Sequence, residues 1–137
     1  MELFFCLDDQ GGMMFNRRRQ SQDQRVRRKI MELAGSRVLW MSPYSYGQFD
    51  QENADSIRAD EHFLQKAEVD DCCFVEDADI EACCQIADRL TIFRWNRVYP
   101  ADRVFDKKIL EQGWTLKKCF DFEGNSHEKI TTEVYER

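Results

Sequence analysis

Apolar residues follow two different periods along the chain, and the period predicts the type of each element. Alternation of apolar and polar residues, as from Trp114 to Phe122, is typical of a strand. Spacing of i, i+4 and i+7, as at Val26, Ile30 and Leu33, is typical of a helix. The predicted strands are 2–8, 13–16, 37–41, 72–76, 91–97 and 114–122, with 98–105 extended. The predicted helices are 21–34, 61–67, 79–90, 107–112 and 125–137.

The order of these elements indicates the fold class. Strands and helices alternate through most of the chain, which favours a central sheet with helices packed on it. We expect an α/β (α+β) fold with a mixed sheet of about five strands and three to four helices. Repeats, low-complexity tracts and linkers are absent from the sequence, so residues 1–137 are predicted to form one globular domain.

Composition adds a prediction about the cysteines. The sequence has six, none of them in a C-x-x-C motif: Cys6, Cys72, Cys73, Cys83, Cys84 and Cys119. Adjacent cysteines do not suit tetrahedral zinc, and we expect free thiols that pack as small apolar residues. A redox or metal role is the alternative. Because no apolar run approaches a membrane span and the first residues do not resemble a signal peptide, we expect a cytoplasmic protein without a membrane segment.

Charge is unevenly distributed in a chain of net charge −6. Residues 17–29 contain seven basic side chains and one acid, whereas residues 50–81 contain twelve acids and two bases. One interpretation is two solvated faces that attract each other. The other is a dipolar molecule with one anion-binding face and one acidic face that binds a protein partner.

The segment Gly124–Lys129 carries the first candidate site. Asn125 and Glu128 have the spacing of a capping box, which predicts a helix start. A helix N-terminus binds anions through its unpaired N–H groups. There, Asn125 and Ser126 would bind an anion, His127 would act as general acid or base, and Lys129 would neutralise charge. An ordinary capped helix start is the alternative.

Further polar residues precede the helix 21–34, lie in the strand 91–97 or follow the strand 37–41. Arginines near aromatic rings hold phosphates and stack bases, but they also pair with acids and cover a core. The additional candidates for anion binding are Arg17, Arg18, Ser21, Tyr44, Arg94, Asn96 and Arg97.

Carboxylates cluster at predicted strand ends, at Asp8, Asp9, Glu76, Asp77 and Asp79. Converging carboxylates bind magnesium, but turn and cap positions explain most of these acids. We therefore predict no metal and no cofactor.

Three segments carry a resemblance to a known family: Cys6 to Asp23, Phe93 to Asp102 and Gly124 to Tyr135. They resemble a family of short proteins of Firmicutes without an assigned activity, some of which carry the name ribonuclease Z. Ribonuclease Z has an H-x-H-x-D-H metal motif, and this chain has only His62 and His127, so that activity is not carried over. The N-terminal strand and its Asp-Gly-Gly turn also resemble dihydrofolate reductase, a likeness confined to this segment.

These observations predict a small phosphate-recognising domain that acts on or binds RNA or a nucleotide, one form of which is a metal-independent phosphodiester-processing enzyme. One alternative is a non-catalytic acidic inhibitor or immunity protein that binds a macromolecule through residues 50–81. Another is a protein that sequesters a nucleotide. Convergence of His127 and Lys129 with at least two of the arginines in one cleft would favour ligand binding or catalysis; scattering would favour the acidic partner face.

Overall fold

A computed structural model describes residues 1–49, 52 and 55–137. The strands are β1 Glu2–Leu7, β2 Gly12–Phe15, β3 Arg18–Arg19, β4 Leu39–Met41, β5 Ile57–Ala59, β6 Cys72–Phe74, β7 Arg89–Arg94, β8 Arg103–Val104, β9 Thr115–Phe122 and β10 Ile130–Glu136. The helices are α1 Gln24–Ala34, α2 Pro43–Tyr46, α3 Phe63–Lys66 and α4 Ile80–Ile86, with a 3-10 helix at Lys107–Glu111.

The main sheet confirms the predicted fold class. Within the described residues it has seven strands in the order β5-β4-β6-β1-β7-β10-β9. The strands from β5 to β7 run parallel, and β10 and β9 complete the sheet in antiparallel fashion. Because parallel strands present their carboxyl ends at the same edge, the segments that follow them lie together there.

The end of the chain is a strand rather than the predicted helix 125–137. Ile130, Thr131, Thr132 and Val134 are β-branched and fit the pleated surface of a sheet better than a helix. The strand that they form, β10, pairs with β7 on one side and with β9 on the other. The chain therefore adds strands to the sheet beyond the expected five, and Gly124–Lys129 is a loop between two strands.

Helix α1 begins later than predicted. Asp23, rather than Ser21, is the N-cap, and its side chain accepts hydrogen bonds from the N–H groups of Arg25 and Val26. The helix ends at Gly35 as expected, with φ of 61°. This shift leaves Ser21 in the segment between β3 and α1, free to contact the carboxyl edge of the sheet.

Two apolar clusters lie on opposite faces of the main sheet. Helix α1 packs on one face with Phe4, Phe93 and Trp95, and α4 packs on the other with Phe5 and Ile92.

Four cysteines are buried, as their packing role predicts: Cys72, Cys73, Cys83 and Cys84. Burial raises the pKa of the Cys73 and Cys83 thiols to about 12. Among the described residues, no helix is long and apolar enough to cross a bilayer.

A second sheet of β3, β2 and β8 lies beside the carboxyl edge. Its position depends on Asp8, a fully buried residue that follows β1. The Asp8 carboxylate accepts hydrogen bonds from the N–H groups of Gln10, Gly12 and Tyr99 and from the Gln20 amide. Asp8 thus joins the turn after β1 to the segments that flank the candidate site.

Candidate functional site

A small enclosed cavity of about 10 Å³ lies at the carboxyl edge of the sheet, on the α1 side. Its polar lining includes Cys6 of β1, Ser21 and Asp23 before α1, and Glu76 after β6. Trp95, which follows β7, closes one side. A cavity of this size is close to the space of one water molecule. The polar groups around it therefore interact mainly with one another.

Asp23 is the centre of the hydrogen-bond network in this region, and its side chain is fully buried. Besides capping α1, its carboxylate accepts hydrogen bonds from the backbone N–H groups of Asn125 (2.9 Å) and Ser126 (2.8 Å). Burial alone would raise the pKa of this carboxyl. The hydrogen bonds from Asn125, from the His127 ring and from Ser126 outweigh burial and lower the pKa to about 2, so Asp23 is ionised at neutral pH.

His127 lies against Asp23, and only 4% of the residue is exposed. Its Nδ1 is 3.0 Å from Asp23 Oδ2. Since the ionised carboxylate only accepts hydrogen bonds, Nδ1 carries the hydrogen in this pair. In the uncharged tautomer the Nε2 atom is then an acceptor, and two hydroxyls lie within reach of it: Ser21 Oγ at 3.1 Å and Tyr99 OH at 3.2 Å.

The imidazole is also fixed by packing. The Trp95 ring stacks on it, with centroids 4.5 Å apart and an interplanar angle of 25°. Gly124 allows the β9–β10 loop to approach Asp23, because a Cβ atom there would lie 2.7 Å from both Asp23 Oδ2 and the His127 carbonyl oxygen. The Ser126 hydroxyl donates to the Gln22 carbonyl. These contacts hold the ring in one orientation.

Glu76 is a second buried carboxylate in this region, besides Asp23. Arg19 donates to both of its carboxylate oxygens, and Ser45 Oγ donates to Oε1 at 2.7 Å. The Arg19 guanidinium lies 4.4 Å from the centre of the Tyr44 ring. Burial, followed by the charges of Glu76 and Asp23, raises the pKa of the Cys6 thiol well above its usual value. Cys6 is therefore an uncharged thiol at neutral pH.

An open cleft of about 530 Å³ lies outside this network. Phe15, Arg18 and Pro100 supply part of its wall, together with Gln20 and Tyr99. Tyr99 links the cleft to the buried imidazole, because its hydroxyl contacts His127 Nε2. Gln20, the residue before Ser21, also has a buried Oε1 atom without a hydrogen-bond partner among the described residues.

Four residues predicted from the sequence converge here: Ser21, Asn125, Ser126 and His127. Their arrangement differs from the predicted one, because Asn125 and Ser126 donate their N–H groups to Asp23 and not to an external anion. The predicted helix N-terminal anion site is wrong, since the segment is a loop that leads into β10. Lys129 is exposed, and its carbonyl oxygen accepts a hydrogen bond from Asn96.

The predicted cationic residues do not converge. Arg94 pairs with Glu133 on the opposite face of the sheet, where Asn96 also lies. Arg97 is exposed, and Arg17 is an exposed turn residue between β2 and β3. Arg18 lines the open cleft, whereas Tyr44 contacts Arg19.

Some acids of the stretch 50–81 have basic partners, among them Glu76, which pairs with Arg19 of the basic segment. Glu52 pairs with Arg27 and Arg28 of the basic segment, and Asp60 pairs with Lys66. The predicted attraction between the basic and acidic segments is thus present at Glu52 and Glu76. Residues 50, 51, 53 and 54, which belong to the predicted acidic face, lie outside the described residues.

Three residues of the site were missed from the sequence: Asp23, Trp95 and Tyr99. Asp23 carried a signal, because it is the lone acid in a basic segment and stands three residues before the apolar Val26, as an N-cap does. Trp95 and Tyr99 reach His127 from over 25 residues away in the chain, and hydrophobic periodicity gives no information about such a contact.

Comparison with known proteins identifies the fold. No family model matches the chain, and no curated protein matches it. Among solved structures, the chain is similar to dihydrofolate reductase from Enterococcus faecalis in complex with NADP(H) and RAB-propyl. The TM-score is 0.67 at 9% identity, and the match covers 99% of this chain and 95% of the other. The chain therefore has a fold of the dihydrofolate reductase type, while the likeness to the Firmicutes family stays a prediction.

This finding corrects the functional prediction. A small phosphate-recognising domain for RNA or a nucleotide, with its anion site at a helix start, is wrong: the fold matches dihydrofolate reductase along nearly its whole length. The predicted cations are also spread over separate surfaces. The functional evidence lies instead in the buried Asp23–His127 pair and its two hydroxyl partners.

Proposed function

We propose that the protein is a serine hydrolase of small esters, in which Ser21 is the nucleophile, His127 the general base and Asp23 the carboxylate that orients it. One observation carries the proposal: Ser21 Oγ and Asp23 Oδ2 contact opposite nitrogens of the same buried imidazole, at 3.1 and 3.0 Å. This constellation of roles recurs on unrelated folds and is recognised by geometry rather than by sequence order.

The chemistry follows from the tautomer that Asp23 imposes. Ser21 Oγ attacks the ester carbonyl carbon while its proton moves to His127 Nε2. The protonated ring then donates that proton to the leaving alcohol as the carbon–oxygen bond breaks. Water attacks the resulting acyl-serine by the same route, which releases the acid and restores Ser21. Ionised Asp23 stabilises the positive charge on the ring in both steps.

Tyr99 supplies the group that suits the developing oxyanion. Its hydroxyl is 3.2 Å from Nε2, so it competes with Ser21 for the same acceptor. When Nε2 gains the serine proton, that acceptor is lost and the Tyr99 hydroxyl is released to donate to the carbonyl oxygen of the substrate. Tyrosine hydroxyls serve in this way in oxyanion holes. The open cleft beside Tyr99 gives the substrate a place to bind, with Phe15 and Pro100 as apolar wall.

Reduction with a nicotinamide cofactor is the activity that the fold neighbour suggests, and the residues of this chain do not fit that cofactor. Dinucleotide phosphates bind at helix N-termini that follow parallel strands, where backbone N–H groups are available. In this chain the turn from β6 to α4 carries Glu76, Asp77 and Asp79. Asp79 occupies the N-terminus of α4 with its own carboxylate, and Glu81 lies in the first turn. The charges of Asp77, Asp79 and Glu81 repel a pyrophosphate, whereas Glu76 is paired with Arg19.

Ester hydrolysis by single-residue variants tests the proposal. We expect the wild type to hydrolyse p-nitrophenyl acetate or butyrate, and Ser21→Ala to lower kcat/KM at least about 100-fold. Ser36→Ala is the matched control, because Ser36 lies in the loop after α1, away from the site, and its removal should leave the rate unchanged. Tyr99→Phe should lower kcat about tenfold with little change in KM, as expected for a group that acts on the oxyanion.

A rate for Ser21→Ala equal to that of the wild type would contradict the assignment of the nucleophile. Circular dichroism of each variant separates loss of chemistry from loss of fold. Equal loss of activity and fold in Ser21→Ala and in Ser36→Ala would also count against the proposal, since Ser21 contacts His127 and Ser36 lies in the loop after α1.

A further inference from the structure

A second cleft lies on the opposite face of the sheet from the His127 site and plays no part in the proposed hydrolysis. Its volume is about 890 Å³. The turn after β1, the ends of β7 and β10, and the segment that includes the 3-10 helix enclose it. Its lining has a polar wall on the sheet, formed by Arg94, Asn96 and Glu133, and an apolar wall that includes Leu7, Val104 and Leu110. The charged residues Asp9, Asp106 and Lys107 also line the cleft.

In the ion pair of the polar wall, a single oxygen of Glu133 accepts all the hydrogen bonds. Arg94 donates through Nε (3.1 Å) and Nη2 (3.0 Å), both to Glu133 Oε1. The Tyr135 hydroxyl donates to the same oxygen at 3.0 Å. Among the residues that the structure describes, Glu133 Oε2 and Arg94 Nη1 have no hydrogen-bond partner. The two side chains are only 20% and 22% exposed.

The cleft therefore presents an acceptor with negative charge beside a donor with positive charge, on two side chains that are largely but not fully buried. A simple cation would satisfy Glu133 and approach Arg94 unfavourably, and a simple anion would do the reverse. A ligand that carries both charges a few ångströms apart satisfies both at once. Charge-assisted hydrogen bonds of this kind are about twice as strong as neutral ones.

The apolar wall indicates what the rest of such a ligand is. Val104 is 52% exposed despite its apolar side chain, and Leu110 is half-buried beside it. Exposed apolar surface next to fixed polar groups is typical of a ligand site. We infer that this cleft binds a free amino acid with a large apolar side chain, its carboxylate on Arg94, its ammonium group on Glu133 and its side chain against Val104 and Leu110.

The test is titration of the protein with L-phenylalanine and L-leucine, followed by ¹⁵N–¹H NMR shifts of residues around the cleft. We expect saturable shifts at Leu7, Val104 and Thr131. Phenethylamine, which lacks the carboxylate, and 3-phenylpropionate, which lacks the ammonium group, should each bind at least about tenfold more weakly. Saturable binding of either analogue as tight as that of L-phenylalanine would overturn the zwitterion assignment, and no saturable shift with either amino acid would overturn the site.

The chain offers a matched control for the variants. Arg89 and Glu136 form a similar pair at the other end of the same two strands, with Arg89 Nη2 2.8 Å from Glu136 Oε1, and neither lines the cleft. We expect Arg94→Met and Glu133→Gln each to weaken L-phenylalanine binding at least about tenfold, and Arg89→Met to change it less than about twofold. Equal effects of Arg94→Met and Arg89→Met would show a general loss of stability and overturn the proposal. Glu133→Gln keeps the side-chain shape and distinguishes loss of charge from misfolding.

Discussion

Asp23 connects three parts of the molecule through one side chain. It caps α1, accepts hydrogen bonds from N–H groups of the β9–β10 loop and orients the imidazole of His127. Because the carboxylate is buried, each of these interactions depends on its charge and on all of its partners being in place. An unpaired buried charge is costly, and this network leaves Asp23 well paired. The same residue therefore stabilises the fold and prepares the proposed base.

The free energy of unfolding at acidic pH should depend on the charge of Asp23. Its pKa in the folded state is about 2, below the value near 3.9 of an unfolded chain. Its contribution is therefore fully present above about pH 4 and is lost as the pH falls through 2, with a size of roughly 2 kcal/mol. We expect urea unfolding at pH 7 to show Asp23→Asn less stable by about this amount, and the difference to shrink between pH 4 and 2.

Asp70→Asn is the control for that measurement, because Asp70 is exposed. Its stability should follow the wild type at every pH. A difference between wild type and Asp23→Asn that stays constant down to pH 2 would contradict the depressed pKa.

At the scale of single elements, the two-residue turn of the β2–β3 hairpin has a strained backbone. Phe15 pairs with Arg18, which leaves Asn16 and Arg17 as a two-residue loop. Their φ angles are 55° and 62°, as in a type I′ turn. Asparagine tolerates this region, whereas arginine has a Cβ atom that opposes it. The hairpin supports the wall of the open cleft beside Tyr99, so this strained turn lies next to the proposed substrate site.

Replacing Arg17 by glycine should relieve the strain. We expect Arg17→Gly to stabilise the protein by about 1 kcal/mol in urea unfolding, because glycine adopts positive φ without a steric cost. Arg18→Gly is the matched control: Arg18 lies in β3, where glycine weakens a strand, so stability should fall or stay the same. Destabilisation by Arg17→Gly would show that the Arg17 side chain makes a favourable contact that outweighs the strain.

Elements differ in how far the sequence determines them. The i, i+4, i+7 pattern of α1 predicts the correct type of element because Val26 and Ile30 are buried on one face. The alternation of β9 also predicts the correct type, although none of its residues is buried. The segment Ile130–Glu136 was misread because the capping-box spacing of Asn125 and Glu128 was given more weight than the β-branched residues that follow. The Asp23–His127 contact spans 104 positions of the chain, and it follows from the order of strands, which local pattern does not specify.

At the scale of the whole molecule, the fold does not by itself specify the chemistry at the carboxyl edge of the sheet. The chain shares its topology with a dihydrofolate reductase at 9% identity. The turn after β6 is acidic, and the cavity at the edge is small and closed by Trp95. The first strand and the turn Asp8–Gly12 resemble those of dihydrofolate reductase, but a resemblance confined to this segment does not predict the strand order.

NADPH binding distinguishes a shared fold from a shared activity. We expect no saturable change in NADPH fluorescence with this protein at concentrations up to roughly 1 mM, because carboxylates lie at and just before the N-terminus of α4. Dihydrofolate reductase from Enterococcus faecalis serves as the positive control in the same assay. Saturable micromolar binding by this chain would contradict the argument from the charges of Asp77, Asp79 and Glu81.

Covalent labelling of Ser21 tests the central claim most directly. Diisopropyl fluorophosphate reacts with a serine whose proton is taken by a neighbouring base, forming a bond from Oγ to phosphorus and releasing fluoride. Intact-mass measurement and peptide mapping of the labelled protein should show one adduct, on Ser21, in the wild type. Folded His127→Gln should react at least about 100-fold more slowly. An unlabelled wild type, an adduct on another residue, or equal labelling of folded His127→Gln would contradict the assignment of Ser21, His127 and Asp23 as a hydrolytic triad.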